Sequence, residues 1–361
     1  MTRDLGPCWI VDAMGRRAAK SVTWSEGRIT AITPAIYIPQ DAPMLCPGLM
    51  DLHVNGGGGL MLGDATGPED VSAILTAHRS LGTAAILPTL ISDTPEVTAR
   101  IIAAVSEAAR QNPGILGLHL EGPHLARAGA HDPGNLRSMT DDDLALYLEA
   151  ADTLPALMIT LAPERASPAQ ISALAEAGVL VSLGHSDCSY EAAVAAYDAG
   201  ARGATHLGNA MSGLHHRAPG LMGAALERAA FIGVIADGVH LHDAVLRLAN
   251  RAAGPRLIAV SDAMAVAGTD EHSFRLQGRK IRRAEGKLCL PDGTLAGADI
   301  SLLDAIRHFA TATDQSLAEA LPIGFERPAE VLGHPVSILE VGSSGPLTLL
   351  SQDGAFDLLL D

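Results

Sequence analysis

The sequence predicts an α/β fold: a (β/α)8 TIM-like barrel with a small β-sandwich domain built from both termini. Three observations point there. Eight short apolar runs alternate with helical stretches through the middle of the chain, the pattern of a parallel barrel. Both ends instead carry short β-branched segments separated by glycine and charged turns. Four polar residues, Glu121, His185, His206 and Asp262, stand at the ends of four apolar runs, where barrel enzymes carry their chemistry.

The 361 residues, 48% hydrophobic, suffice for one barrel of about 250 residues and a smaller companion domain. A net charge of −16 implies no basic surface, so no nucleic-acid partner is expected. An anionic substrate would need local arginine, histidine or helix N-termini. Cys8, Cys46, Cys188 and Cys289 are scattered and form no C-x-x-C pair. Neither a zinc ribbon nor a disulfide frame is implied, and reduced thiols in the cytoplasm are the simplest reading. The N-terminus lacks an apolar signal segment, and no run approaches about 18 apolar residues, so no membrane partner is expected.

Residues 1–45 read as the first part of the sandwich, through CWIVDAMG, KSVTWSEG and RITAITPA. Barrel strands follow at 44–53, 83–90, 115–120, 156–162, 179–184, 203–207, 231–236 and 257–261. Amphipathic stretches between them include Pro95 to Gln111, Ser167 to Ala177 and Tyr190 to Ala199. An open doubly wound sheet would call for a dinucleotide loop after the first strand. GGGG follows that strand, but no G-x-G-x-x-G helix start does. The barrel domain spans 46–333, with a β insertion near 273–294, and 334–361 returns to the sandwich.

His53 and Asn55 lie two apart at the end of strand 1 and share a face. A His-x-His pair there would signal a metal, whereas an amide oxygen binds zinc poorly. Both residues also read as hydrogen-bonding groups at the barrel mouth, the better reading for Asn55. Glu121, pinned by Gly122-Pro123, cannot sit in a core unpaired. With His185 and His206 at later strand ends, it completes the two-histidine, one-carboxylate set of an open zinc site. Either histidine alone would read as structural, as His119 does, while His124 sits where it could line the pocket. Asp262 reads as a general base or as a helix N-cap. Arg217, in HLGNAMSGLHHRAPG, offers a planar fork to an anion, or an ordinary surface ion pair. IADGVHLH and LAGAD could add His240 and backbone donors.

These segments, in this order, resemble the N-acetylglucosamine-6-phosphate deacetylases of the amidohydrolase superfamily. The carrying motifs are PGLMDLHVNGGGG (47–59), HLEGPHL (119–125), GHSD (184–187), THLGNAM with HHRAPG (205–220), IADGVH (235–240), VSDAM (260–264) and LAGAD (295–299). The resemblance implies that Glu121, His185 and His206 hold one divalent metal per subunit. Zn2+ is expected there, with Fe2+, Mn2+ or Co2+ as alternatives. It makes Asp262 the proton shuttle and His53 and Asn55 second-metal or pocket positions. Asn209, Ala210, Arg217, Asp237, Gly238, Val239 and His240 would hold a sugar phosphate. Ala130 and His131 would contact the substrate, and Leu295, Ala296 and Gly297 would close over it. The expected partners are this small molecule and a second copy of the chain in a homodimer. The expected reaction is deacetylation of N-acetyl-D-glucosamine 6-phosphate in amino-sugar catabolism. The alternatives are N-acetylgalactosamine 6-phosphate or another N-acyl amine as substrate and, from another class, a non-catalytic sugar-phosphate sensor.

Overall fold

The computed structural model describes residues 2–334, 339–351 and 353–360. Residues 335–338, part of the expected C-terminal β segment, lie outside the described residues. The strands in chain order are β1 (Thr2–Val11), β2 (Arg17–Ser25), β3 (Arg28–Pro34), β4 (Met44–Pro47), β5 (Leu49–Val54), β6 (Gly56–Gly57), β7 (Leu60–Met61), β8 (Thr83–Ile91), β9 (Leu118–Glu121), β10 (Leu157–Leu161), β11 (Leu180–Leu183), β12 (Gly203–Ala204), β13 (Phe231–Val234), β14 (Leu257–Ala259), β15 (Ser273–Leu276), β16 (Arg279–Ala284), β17 (Lys287–Cys289), β18 (Leu295–Ala298), β19 (Leu347–Leu350) and β20 (Phe356–Leu360). The helices that bear on the argument are α1 (Pro68–Arg79), α2 (Pro95–Gln111), α3 (Asp141–Thr153), α4 (Pro168–Glu176) and α5 (Tyr190–Asp198).

Strands β5 and β8 to β14 form one sheet in sequence order, every adjacent pair parallel. All eight expected barrel strands are present. The seam between the first and last is closed by a bridge between Val54 and Ala263. There the Asp262 N–H donates to the His53 carbonyl (3.0 Å) and the Asn55 N–H to the Ala263 carbonyl (2.8 Å). Buried Asp51 adds a side-chain stitch, since its carboxylate accepts from the backbone N–H groups of His53 (3.1 Å) and Ser261 (3.2 Å).

The helices follow local chemistry. Thr94 caps α2 by accepting from the Val97 N–H, and Ile101, Val105 and Ala108 bury one face at helical spacing. Ser167 and Gln170 form a reciprocal capping box on α4. Ser189 caps α5. These are the three helical stretches expected from the sequence.

Both ends of the chain build one six-stranded sheet, in the order β20-β19-β4-β1-β2-β3. The single strand expected over 44–53 is therefore two. Its first half, β4, pairs with β1 and β19, and its second half, β5, enters the barrel. The break falls at Gly48, where a Cβ would meet the Ala84 Cβ at 2.6 Å and the Pro346 carbonyl oxygen at 2.9 Å. Glycine there lets the two sheets approach without a side chain between them.

The insertion after β14 is a four-stranded antiparallel sheet, β15-β16-β17-β18. Its Leu276, Ile281, Leu288 and Ala296 pack against Met61, Ile91, Met264 and Val266. The sheet thereby roofs the barrel mouth. Arg279 donates to the Ala130 carbonyl and Gln277 to the Ser92 carbonyl, which ties the roof to the loops after β8 and β9.

Candidate active site

The barrel interior changes character along its axis. Leu52, Leu87, Leu116, Met158, Leu180, Phe231 and Ile258 fill one apolar layer. A hydrogen-bonded layer accompanies it. His119 meets Thr160 (2.7 Å) and Thr89 (3.3 Å), and Thr205 meets Thr160 (2.6 Å) and Ser182 (2.7 Å). His119 is thus structural, and burial pushes its pKa well below the usual histidine range.

At the mouth the ionisable groups converge. On β9 the pleat places Leu118 and Leu120 in the shell between strands and helices, which leaves His119 and Glu121 on the opposite, inner face. Glu121 Oε1 lies 2.9 Å from His206 Nε2 and 3.3 Å from His185 Nε2, and the two histidine nitrogens are 3.1 Å apart. Glu121 Oε2 lies 3.3 Å from His53 Nε2 and 3.3 Å from His131 Nε2. Burial would raise the Glu121 pKa. The His53 charge and hydrogen bonds from His131 and His206 outweigh it and hold the carboxyl well below its usual range. Burial would lower His53, but Glu121 and Asp262 beside it lift its pKa to about 9.

The tautomers follow from the partners. His185 Nδ1 must donate, because its partner is the Arg127 carbonyl at 2.7 Å. Its Nε2 then presents a lone pair to Glu121 Oε1. Two acceptors at 3.3 Å repel unless a cation lies with them, so this donor set fits a divalent metal. Tetrahedral zinc, with bonds of about 2.0–2.2 Å, places its ligand atoms at similar separations. Two overlapping sets, Glu121–His131–His185 and His53–Glu121–Asp262, each offer ligand atoms within 4.8 Å of one another. His206 Nδ1 is buried and has no partner among the described residues. His131 Nδ1 accepts from the Ser92 backbone N–H (3.2 Å), so its Nε2 carries a proton toward the site.

Asp262 follows β14, and its Oδ1 accepts from Asn55 Nδ2 at 2.6 Å and lies 3.2 Å from His53 Nε2. Among the described residues its Oδ2 has no hydrogen-bond partner. His185, His206 and Asp262 all adopt left-handed backbone (φ 48°, 31° and 50°). For non-glycine residues this conformation costs about 1–3 kcal/mol, and it concentrates at functional sites. It turns the chain sharply off each strand and keeps the side chain over the barrel axis.

A cavity of about 300 Å³ opens above these groups. Its walls bring together the expected Asn55, Ala130, His131, Asn209, Ala210, His240, Leu295 and Gly297 with Glu121, His185, His206 and Asp262. Asp237 sits behind His240 and orients it, pairing with His240 Nδ1 at 2.6 Å and accepting from the N–H groups of Val239 (2.9 Å) and His240 (2.7 Å). Gly238 and Val239 form that turn and do not line the cavity. Ala296 is fully buried in the roof. Arg217 is exposed on the 213–219 loop, outside the cavity of its own chain. His124 is buried against Tyr147 (2.9 Å). Sequence reasoning missed Arg127 and Thr294, both on the cavity wall, and the stitching role of Asp51. The arginine in RAGAHDPG was the available signal for the first.

The model of the Amidohydrolase family matches residues 44–358. The N-acetylgalactosamine-6-phosphate deacetylase of Shewanella sp. (strain ANA-3) is 41% identical over 296 residues, 81% of this chain and 75% of that protein. The N-acetylglucosamine-6-phosphate deacetylase of Homo sapiens is 37% identical over 325 residues, 85% of this chain and 79% of that protein. The crystal structure of N-acetylglucosamine-6-phosphate deacetylase from Pasteurella multocida superposes with a TM-score of 0.91 at 30% identity, over 99% of this chain and 97% of that one. With motifs, barrel and convergent site in agreement, the chain belongs to the amidohydrolase family, within the N-acetylglucosamine-6-phosphate deacetylase family.

Proposed function

We propose that this enzyme hydrolyses the acetamido bond of N-acetyl-D-glucosamine 6-phosphate, giving D-glucosamine 6-phosphate and acetate. One observation carries the reading: Asp262 is held through Oδ1, its Oδ2 has no hydrogen-bond partner among the described residues, and the residue lines the same cavity as Glu121, His185 and His206. The family implies a divalent metal, and Glu121, His185 and His206 are the residues assigned to hold one ion, taken here as Zn2+. Such an ion acidifies water and polarises a carbonyl. Asp262 takes a proton from the attacking water as the water oxygen bonds to the acetyl carbon. The C–N bond then breaks with its electron pair on nitrogen, and Asp262 returns the proton to the leaving amine. His131, fixed by Ser92 with its Nε2 protonated, offers a hydrogen bond to the acetyl oxygen. His240, oriented by Asp237, and the Asn209–Ala210 turn are assigned to the sugar phosphate.

The same reading takes the chain as a cytoplasmic homodimer. Four free cysteines support the reducing setting. The exposed loop bearing Leu214 (59% exposed) and Arg217 supports a contact with a second copy.

The 41% identity to an N-acetylgalactosamine-6-phosphate deacetylase favours the epimeric sugar phosphate as a second reading. An acetate-release assay on both sugar phosphates tests the proposal. Release from the gluco substrate at the higher kcat/KM supports it, a reversed preference selects the second reading, and no release from either overturns both.

A further inference from the structure

We propose that Arg127 is the cation that this subunit itself supplies to the substrate phosphate. The inference rests on the sugar-phosphate reading above and adds a residue to it. In a chain of net charge −16, a dianion needs a local positive group to enter the pocket. Among the described residues that line the cavity, Arg127 is the one lysine or arginine. Its Nη1 donates to the Met211 carbonyl at 2.8 Å and lies 3.3 Å from Asp187 Oδ1. Met211 directly follows Ala210, so these contacts hold the guanidinium beside the Asn209–Ala210 turn. Among the described residues Arg127 Nε and Nη2 have no hydrogen-bond partner, which leaves one edge of the planar fork open. A bidentate fork of this kind matches phosphate oxygens.

The backbone of the turn supplies the second half of the argument. His206, Gly208 and Ala210 have φ values of 31°, 83° and 46°. Left-handed residues alternating along a chain gather successive N–H groups into a concavity that suits an anion. The Ala210 N–H has no partner among the described residues, and Ala210 lines the same cavity as Arg127. Asp187 does not cancel the arginine charge, because its side chain is 67% exposed and the pair is screened by water. Arg217 is the other candidate, but it lies outside its own chain's cavity and could act only from a second copy. Arg127 requires no assembly.

The backbone of Arg127 has a separate task, since its carbonyl orients His185. Changing only the side chain therefore separates phosphate recognition from the cluster. The test is Arg127→Gln, with Arg127→Lys beside it, read by kinetics and by titration with inorganic phosphate and D-glucosamine 6-phosphate. For Arg127→Gln, the ratio of kcat/KM on the phosphorylated sugar to that on the unphosphorylated sugar is expected to fall about 10- to 100-fold, chiefly through KM. Phosphate binding is expected to weaken by a similar factor, with partial recovery in Arg127→Lys and unchanged metal content in both. An unchanged ratio with unchanged phosphate affinity overturns the assignment, as does an equal loss on both sugars. If the wild-type protein binds phosphate through Arg127 yet releases no acetate, the deacetylase reading falls and this one stands. Turnover with Arg127-independent phosphate binding sinks this one alone.

Discussion

Asn55 Nδ2 donates to Asp262 Oδ1 at 2.6 Å, joining the end of the first barrel strand to the end of the last. The amide is thereby committed as a donor to a carboxylate. Its oxygen is buried with no partner among the described residues, and a neutral amide oxygen is a weak zinc ligand. The arrangement favours a single ion at Glu121, His185 and His206. Metal analysis of fully loaded, desalted protein is expected to give one equivalent per subunit. Two tightly held equivalents would assign His53 and Asp262 to a second ion.

Asp262→Asn tests the proton shuttle. The amide keeps the shape and can still meet Asn55 and His53, but it cannot take up a proton. Metal content and melting temperature should stay near those of the parent, while kcat falls about 10²- to 10⁴-fold. Near-normal kcat in a metal-replete variant would remove Asp262 from the role.

Gly297 lines the cavity with φ 70°. A Cβ there would lie 2.5 Å from Met264 Cγ and 2.8 Å from the Asp262 carbonyl oxygen. Gly297→Ala combines backbone strain with overpacking against Met264 and the Asp262 backbone. A loss of about 1–3 kcal/mol is expected in denaturant unfolding, together with reduced kcat/KM. A variant as stable and as active as the parent would show that the roof yields without cost.

His124 is buried, with Nδ1 donating to the Arg137 carbonyl (3.2 Å) and Nε2 accepting from the Tyr147 hydroxyl (2.9 Å). Burial is the main cause of its depressed pKa of about 4, opposed by the Asp143 charge and the hydrogen bond to the Arg137 carbonyl, with the Arg137 charge adding a smaller lowering. An unfolded histidine takes up its proton near pH 6.5. Below that pH the unfolded chain binds the extra proton and the folded chain does not, so stability falls from about pH 6.5 down to about 4. The loss is on the order of 2–3 kcal/mol. His124→Gln should flatten urea-unfolding free energies across that window. The Asp143–Arg137 pair acts lower down. The Asp143 pKa of about 2 is set by Arg137 and Thr140 against burial, so its contribution holds above about pH 4 and is lost toward pH 2. An unchanged slope between pH 6.5 and 4 in the His124 variant would contradict this account.

Much of the barrel was legible because its signals are local. ILGLHL, VLVSLG and LIAVS carry their burial in their own composition, and Thr94 and Ser167 announce the helices they cap. The strand-end logic likewise singles out Glu121, His185, His206 and Asp262, which the fold brings to one cavity. What escaped depends on partners far away in sequence. Gly48 separates two strands because Pro346 and Ala84 crowd it. Asp51 reads as one more polar residue until Ser261 is beside it. Asn55 reads as a hydrogen-bonding group at the barrel mouth, but its partner, Asp262, lies 207 residues away in sequence. Arg127 and Arg217 are alike as residue types, and only the path of the loops puts the former on the cavity wall.

The seam between β5 and β14 also has a consequence for how the molecule comes into being. Strands β8 to β13 pair with neighbours adjacent in the chain, contacts of modest sequence separation that form early by the usual link between locality and rate. Glu121, His185 and His206 all belong to that stretch or directly follow it. The Asn55–Asp262 and Asp51–Ser261 contacts span 207 and 210 residues, so they form only when the ring shuts. A nascent chain can therefore gather Glu121, His185 and His206 before Asp262 is fixed in place, and on the proposed reading competence for turnover arrives with the last strand.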